Sequence, residues 1–273
     1  MTKRLIINAD DYGMSRGIVD GIIQCAHAGI VTSTTMMATG EAFDYGLERL
    51  AELGLNGASI GVHLNVTSGE SISHPSEIPS LLDSTGRFVP RRESAVVAAM
   101  KPEELEAEFR RQIERVLKAG IRVSHLDNHH NWIYFSPTHF RVVTKLANEL
   151  ELPLRYPFGR MSDQRLVVIA GLIGLSEKAA NDAIMECHSA MEEFEVQHTD
   201  SFWIEFTSIH RSREYLKKLL SEMPVGISEL CVHPGLDSDR RKQELTILLE
   251  AASEGWVQQV PDLQLASYSA VGR

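Results

Sequence analysis

Strand-like and helix-like segments alternate along this chain, and that alternation limits its fold more than any single motif does. It begins with Leu5 to Asp11, a short apolar run that ends in two adjacent carboxylates and reads as a buried strand. Ser15 is placed to cap a helix running to about Ala28, with Gly29 as its stop. A strand over Val31–Thr39, a helix over Phe43–Leu53 and a strand over Ala58–Leu64 follow. Thr67 to Pro90 is rich in proline, glycine and serine and has no steady period, so it reads as a long surface excursion of the kind that forms lids or binding loops.

Beyond it, Leu105, Phe109, Ile113 and Val116 share one face of a helix over Glu103–Ala119. A strand over Ile121–Asp127, a helix opening at Ser136-Pro137 and ending near Glu151, and a short strand over Leu152–Tyr156 come next. Gly159 to Thr199 holds an apolar run, Leu166 to Leu175, and a helix over Glu177–Glu193, neither with an evident place in the sheet. The pattern then resumes with a strand over Ser201–Phe206, a helix over Arg213–Glu222, a strand over Ile227–Val232 and a helix over Arg241–Glu254. About seven such units with no linker between them predict one α/β domain over residues 1–273, a distorted (β/α) barrel with a parallel sheet.

The strand ends carry the chemistry. Asp10 and Asp11, His63, His125 to His129, and His233 all fall at the C-terminal ends of predicted strands, the edge where barrels and open α/β sheets place their active sites. Adjacent buried carboxylates repel one another and attract protons or cations. Singly, the aspartates read as helix caps, His63 as a half-buried core histidine and His233-Pro234-Gly235 as a turn; gathered on one edge, they point to a metal site. The period of two gives His125, Asp127 and His129 one parity and leaves His130 on the other.

Composition excludes several partners. A formal charge of −10, with Arg240-Arg241-Lys242 as the one run of three basic residues, is a poor match to a nucleic-acid backbone. Three scattered cysteines suggest neither a disulfide framework nor a thiolate zinc site. No apolar run reaches membrane-spanning length, and the N-terminus is too short for a signal peptide, so a soluble cytoplasmic protein is expected.

In order along the chain, Asn8-Ala9-Asp10-Asp11-Tyr12-Gly13, Val31-Thr32-Ser33-Thr34-Thr35, Gly61-Val62-His63-Leu64-Asn65, His125-Leu126-Asp127-Asn128-His129-His130 and His233-Pro234-Gly235 resemble the motifs of the YdjC-like carbohydrate deacetylases, the family that includes chitooligosaccharide deacetylases. The resemblance spans nearly the whole chain. It implies a barrel similar to polysaccharide deacetylases, with Asp11, His63 and His129 as metal ligands, Asp10 as general base and His233 as general acid. His125, Asp127, His130 and Trp132 are then candidates for supporting the ligands or touching the substrate, and Trp132 or Tyr134 for stacking on a sugar ring.

One carboxylate and two imidazoles suit a single divalent cation; ligand softness favours zinc, and the family is also associated with magnesium. The expected partners are a small carbohydrate and, where the protein self-associates, a second copy in a homo-oligomer. The expected reaction is hydrolysis of the acetamide of an N-acetylated amino sugar or short oligosaccharide. A metal-dependent phosphoester hydrolase and a catalytically silent sugar-binding barrel are the alternatives.

Overall fold

The two faces of the first strand decide how the molecule is layered. In the computed structural model, which describes residues 2–54, 59–90, 94–158, 176–208 and 210–272, β1 spans Lys3–Tyr12. Leu5, Ile7 and Ala9 join the large apolar core, whereas Ile6 belongs to a separate small cluster with Ile227, Tyr268 and Val271. Successive strand residues face opposite sides, so this division separates a helix-facing layer from a barrel interior.

Around β1 the strands β2 (Ser33–Met36), β3 (Ile60–Leu64), β4 (Val123–Asn128), β5 (Ser201–Trp203), β6 (Gly226–Val232) and β7 (Leu263–Leu265) form one parallel sheet. Its order is β4-β3-β2-β1-β6-β5, curled into a distorted half-barrel, with β7 also on β1. One edge of β1 pairs with β6 from Lys3 to Ala9. The other is shared: β7 takes Lys3 to Leu5, and β2 pairs only from Asn8 onward. The last strand is thus a wedge where β1 and β2 diverge, and sequence pattern did not reveal it because three residues are too few to show a period.

The helices are α1 (Arg16–His27), α2 (Phe43–Glu48), α3 (Ser94–Ala99), α4 (Pro102–Lys118), α5 (Pro137–Glu149), α6 (Glu177–Glu193), α7 (Glu205–Ser208), α8 (Arg213–Ser221) and α9 (Asp239–Ser253). Ser15 caps α1 by accepting from the Ile18 N–H, as its position predicted. Two expectations change. Leu152–Tyr156 is not a strand: Leu154 forms one bridge to Leu126 of β4, because Pro153 has no N–H to donate and Pro157 follows. It still carries the curl onward, with Arg155 N donating to Leu126 O at 2.9 Å and Leu154 N to Gln197 O at 2.9 Å. The strand expected over Ser201–Phe206 stops at Trp203, and Glu205–Ser208 turns into α7. The apolar run Leu166–Leu175 lies outside the described residues.

The excursion after β3 is tied down from below. Glu108 of α4, fully buried, accepts from the N–H groups of Ile72 (3.1 Å) and Ser73 (2.9 Å), and Glu104 accepts from Ser80 N at 2.7 Å. Ile78, Leu81 and Phe88 then bury against the same core as Leu105 and Phe109. These bonds satisfy backbone groups that a buried loop would otherwise leave unpaired.

On the opposite flank, α1 meets the segment after β6 at Gly21. A Cβ there would lie 2.6 Å from Gly235 Cα and 2.8 Å from its nitrogen, so the helix seats only because there is none. Gly21→Ala should therefore lower stability by about 1–3 kcal/mol, read as a lower urea midpoint with unchanged slope. A wild-type midpoint would show that the segment yields without cost.

Candidate metal centre

Asp10 and Asp11 are neighbours on a strand, and a regular strand would send them to opposite faces. The backbone prevents this. Asp11 adopts φ 72°, in the left-handed region, and the β1–β2 register shifts between Ala9 and Tyr12. Met14 N then donates to Asp11 O at 2.9 Å, closing the turn. Both carboxylates thereby reach one centre at the C-terminal mouth of the half-barrel.

His63 arrives from the end of β3 and His129 from the residue just past β4. Asp11 Oδ1 lies 3.2 Å from His63 Nε2 and 3.0 Å from His129 Nδ1, and the two ring nitrogens are 3.2 Å apart. All three side chains are buried. Atoms at these mutual separations are what a cation with ligand bonds of about 2.1 Å gathers around itself. Asp11 Oδ1 is buried with no aligned hydrogen-bond donor, despite two rings at contact distance. The triad can hold a metal ion.

The surrounding groups aim these atoms. His63 Nδ1 bonds Asp127 Oδ1 at 2.6 Å, which fixes the tautomer that turns the Nε2 lone pair toward Asp11 and His129. Thr35 Oγ1 donates to Asp127 Oδ2 at 3.0 Å, and Arg155 Nη1 stands 2.9 Å from the same oxygen. Arg241 Nη2 donates to Asp11 Oδ2 at 2.5 Å, leaving Oδ1 for the rings.

Asp10 is held differently. Arg155 donates to both its oxygens, each at 2.7 Å, and Asn8 Nδ2 adds a third bond at 2.8 Å. Arg155 also bonds Glu229 through Nε at 2.8 Å, so one buried guanidinium serves three buried carboxylates. Burial alone would raise the Asp10 pKa; the charge and paired bonds of Arg155 outweigh it and hold the carboxyl well below its ordinary range. Burial would likewise lower the His63 pKa, but Asp127 and Asp11 push it up to about 10, a sign that this centre demands positive charge. Four carboxylates, Asp10, Asp11, Asp127 and Glu229, face two guanidiniums, Arg155 and Arg241. That deficit suits a divalent cation.

His233, from the end of β6, comes to the opposite side of Asp10, with Nε2 4.0 Å from Asp10 Oδ2. It is 26% exposed, so it faces the open mouth. Burial lowers its pKa, against the pull of Asp11 and Asp10.

The remaining sequence candidates divide. His125 has the predicted parity but lies deeper, stacked on Tyr268 with ring centroids 3.5 Å apart, and its Nδ1 bonds Ser124 rather than a member of the triad. Only a glycine at position 61 leaves room for that ring, since a Cβ would lie 2.6 Å from it. His130, at φ 65°, is exposed at the mouth, its ring 3.8 Å from that of His129 and its Nδ1 3.0 Å from Thr67 Oγ1. Trp132 is in the 3₁₀ segment His129–Phe135, and its side-chain surroundings fall outside the described residues. Tyr134 is buried against Phe140 and Phe158, so it packs the core and is not free to stack on a sugar.

Arg155, Glu229, Tyr268 and Arg241 escaped sequence reading as site residues, and Thr35 stood in the Val31–Thr35 motif without an assigned role. A signal existed for two of them: a lone arginine in Leu154-Arg155-Tyr156 and a lone glutamate inside Ile227–Val232 are charged residues in otherwise buried runs.

The chain is 30% identical over 271 residues to a carbohydrate deacetylase of Brevibacillus brevis, covering 98% of this chain and 100% of that one. It is 31% identical over 269 residues to a carbohydrate deacetylase of Oceanobacillus iheyensis, covering 93% and 100%. A crystal structure from Enterococcus faecalis V583, of a protein provisionally named for cellobiose-phosphate cleavage, superposes with a TM-score of 0.80 at 27% identity over 99% of both chains. With the YdjC-like protein family matching residues 4–259 as well, the chain belongs to the YdjC-like family.

Proposed function

We propose that this protein is a metal-dependent hydrolase that removes the acetyl group from an N-acetylated amino sugar or a short, chitooligosaccharide-like oligomer and releases acetate. The observation that carries this reading is the triad Asp11, His63 and His129 with Asp10 on one side and His233 beyond it. The names of the full-length relatives support it.

Asp11, His63 and His129 would hold one divalent cation, zinc or magnesium; bound there, it would polarise the acetyl carbonyl and acidify water. Asp10 accepts the proton of the attacking water. Its bidentate contact with Arg155 keeps the carboxylate ionised and fixes its direction, so the base is already oriented when substrate arrives. His233 protonates the departing amine from the open side of the site. Asp127 holds the His63 ring and so supports the triad. His130, exposed above His129, is the side chain of this group best placed to touch the sugar.

Protein stripped by chelator should release no acetate from N-acetylated mono- and disaccharides, and zinc or magnesium should restore release. Stoichiometric metal with no release from any acetylated sugar would sink the deacetylase reading, and liberation of inorganic phosphate from a sugar phosphate would replace it with a phosphoester hydrolase. Asp10→Asn keeps the shape of the carboxylate and removes its basicity. It should lower kcat by about 10²–10⁴-fold with metal content unchanged by elemental analysis; loss of the metal would instead make Asp10 a ligand.

A further inference from the structure

Behind His233 lies a chain of polar groups that bond to one another and to His233. Thr207, in α7, sits with its hydroxyl 2.8 Å from His233 Nδ1 and 2.5 Å from Glu244 Oε1. Glu244 is fully buried in the second turn of α9. Its other oxygen accepts the backbone N–H of His233 at 2.5 Å, and Oε1 also accepts from Arg211 Nε at 3.1 Å. Arg240 Nη2 donates to Thr207 O at 2.5 Å, and Arg211 bonds the same carbonyl. Three separate elements, α7, α9 and the end of β6, thus converge on one ring nitrogen.

The proton count on this chain has one solution. Both Glu244 oxygens already accept, from a guanidinium and from a peptide N–H, so the carboxylate acts as the acceptor for Thr207. A threonine hydroxyl has one proton. Once it is given to Glu244, only lone pairs remain toward His233, and Nδ1 must be the N–H that donates to Thr207. The neutral ring therefore carries its proton on Nδ1, away from the site, and Nε2, facing Asp10 at 4.0 Å, is the atom that gains and loses a proton.

We infer that Glu244 and Thr207 are positioning residues that act through His233: they hold its Nδ1–H tautomer, aim Nε2 at the leaving nitrogen, and stabilise the imidazolium formed when Nε2 is protonated. This rests on the deacetylase reading above. In the hydrolysis, water oxygen bonds the acetyl carbon and its proton goes to Asp10. The C–N bond then breaks, its electron pair stays on nitrogen, and nitrogen takes the proton that Nε2 carries when His233 is the imidazolium, which leaves the neutral ring with its proton on Nδ1. The proton held by Asp10 returns to Nε2, and both groups regain their starting state. A carboxylate acting through a hydroxyl does here what a directly bonded carboxylate does for the histidine of a serine-protease triad.

The test compares Thr207→Val, which keeps the side-chain shape, with Thr207→Ser, which keeps the hydroxyl. With metal bound at wild-type stoichiometry, Thr207→Val should lower kcat on an N-acetylated sugar by about 10–100-fold with KM little changed. Thr207→Ser should restore most of it. On 4-nitrophenyl acetate, whose leaving group departs without protonation, Thr207→Val should match wild type within about two-fold, because only the acid step is weakened. Nitrogen NMR of the histidines should find His233 protonated at Nδ1 in wild type and a mixture of tautomers in Thr207→Val. Equal loss on the sugar and the aryl ester, or wild-type rates on both, would overturn the inference, as would an Nε2–H tautomer in wild type. Absence of acetate release from every sugar by wild-type protein would instead refute the function reading, and the tautomer measurement would still decide how the hydrogen bonds run.

Discussion

One buried guanidinium organises this molecule. Arg155 is fully inaccessible and bonds carboxylates from three strands: Asp10 of β1, Asp127 of β4 and Glu229 of β6. A charge taken out of water is costly unless it is paired and hydrogen-bonded, and removing one member of such a cluster typically costs about 3–5 kcal/mol because the others are left uncompensated. The arginine therefore binds the strands of the half-barrel together through their side chains as well as through the sheet. Through Asp10 and Asp127 it also reaches the proposed base and the partner of His63 without standing among the reacting groups.

The interior of the sheet is layered by this constraint. A closed barrel ordinarily fills its centre with branched apolar side chains. Here the apolar cluster separate from the large core is small among the described residues: Ile6, Ile227, Tyr268 and Val271, at the N-terminal end. Above it lie Glu229 and His125, joined through Tyr268, which donates to Glu229 at 2.5 Å and stacks on His125. Arg155, Asp10, Asp127 and Thr35 come next, and the triad closes the column at the mouth. Tyr268 follows β7, and its N–H donates to Ser59 Oγ at 3.0 Å, so the C-terminal segment is the plug on which the polar column stands. The bonds of Arg155 to Asp10, Asp127 and Glu229, and of Glu229 to Tyr268, carry the polar groups down from the mouth, and that leaves the helix-facing side to carry the apolar burial.

Three of the six non-glycine residues with positive φ among the described residues lie at the same mouth. Asp11, His130 and Asn131 all adopt positive φ, an uncommon state for residues with side chains. At Asp11 this separates two adjacent carboxylates into two environments: one paired with Arg155, the other facing two imidazoles. At His130 and Asn131 it turns the chain sharply after His129, so that the ring of His130 comes to lie over its neighbour. Arg241 on Asp11 and Thr67 on His130 hold these conformations from outside.

Much of this was determined by the amino-acid sequence alone, since it depends on local rules. Strand and helix periods set the parallel α/β layering, and the side-chain period of two gave His125, Asp127 and His129 one parity. The C-terminal ends of parallel strands necessarily gather at one edge, which is why Asp10, Asp11, His63, His129 and His233 could be picked out before their distances were known. Tertiary structure alone decided which of those residues meet. Arg155 and Asp10 are 145 positions apart, Arg241 and Asp11 230, and no local rule relates such positions. His125 and His129 share a parity yet occupy different depths, because a strand rises by about 3.3 Å per residue and Tyr268 fills the lower level. The separate environments of Asp10 and Asp11 likewise arise from a left-handed turn that only the packed mouth of the barrel can hold in place.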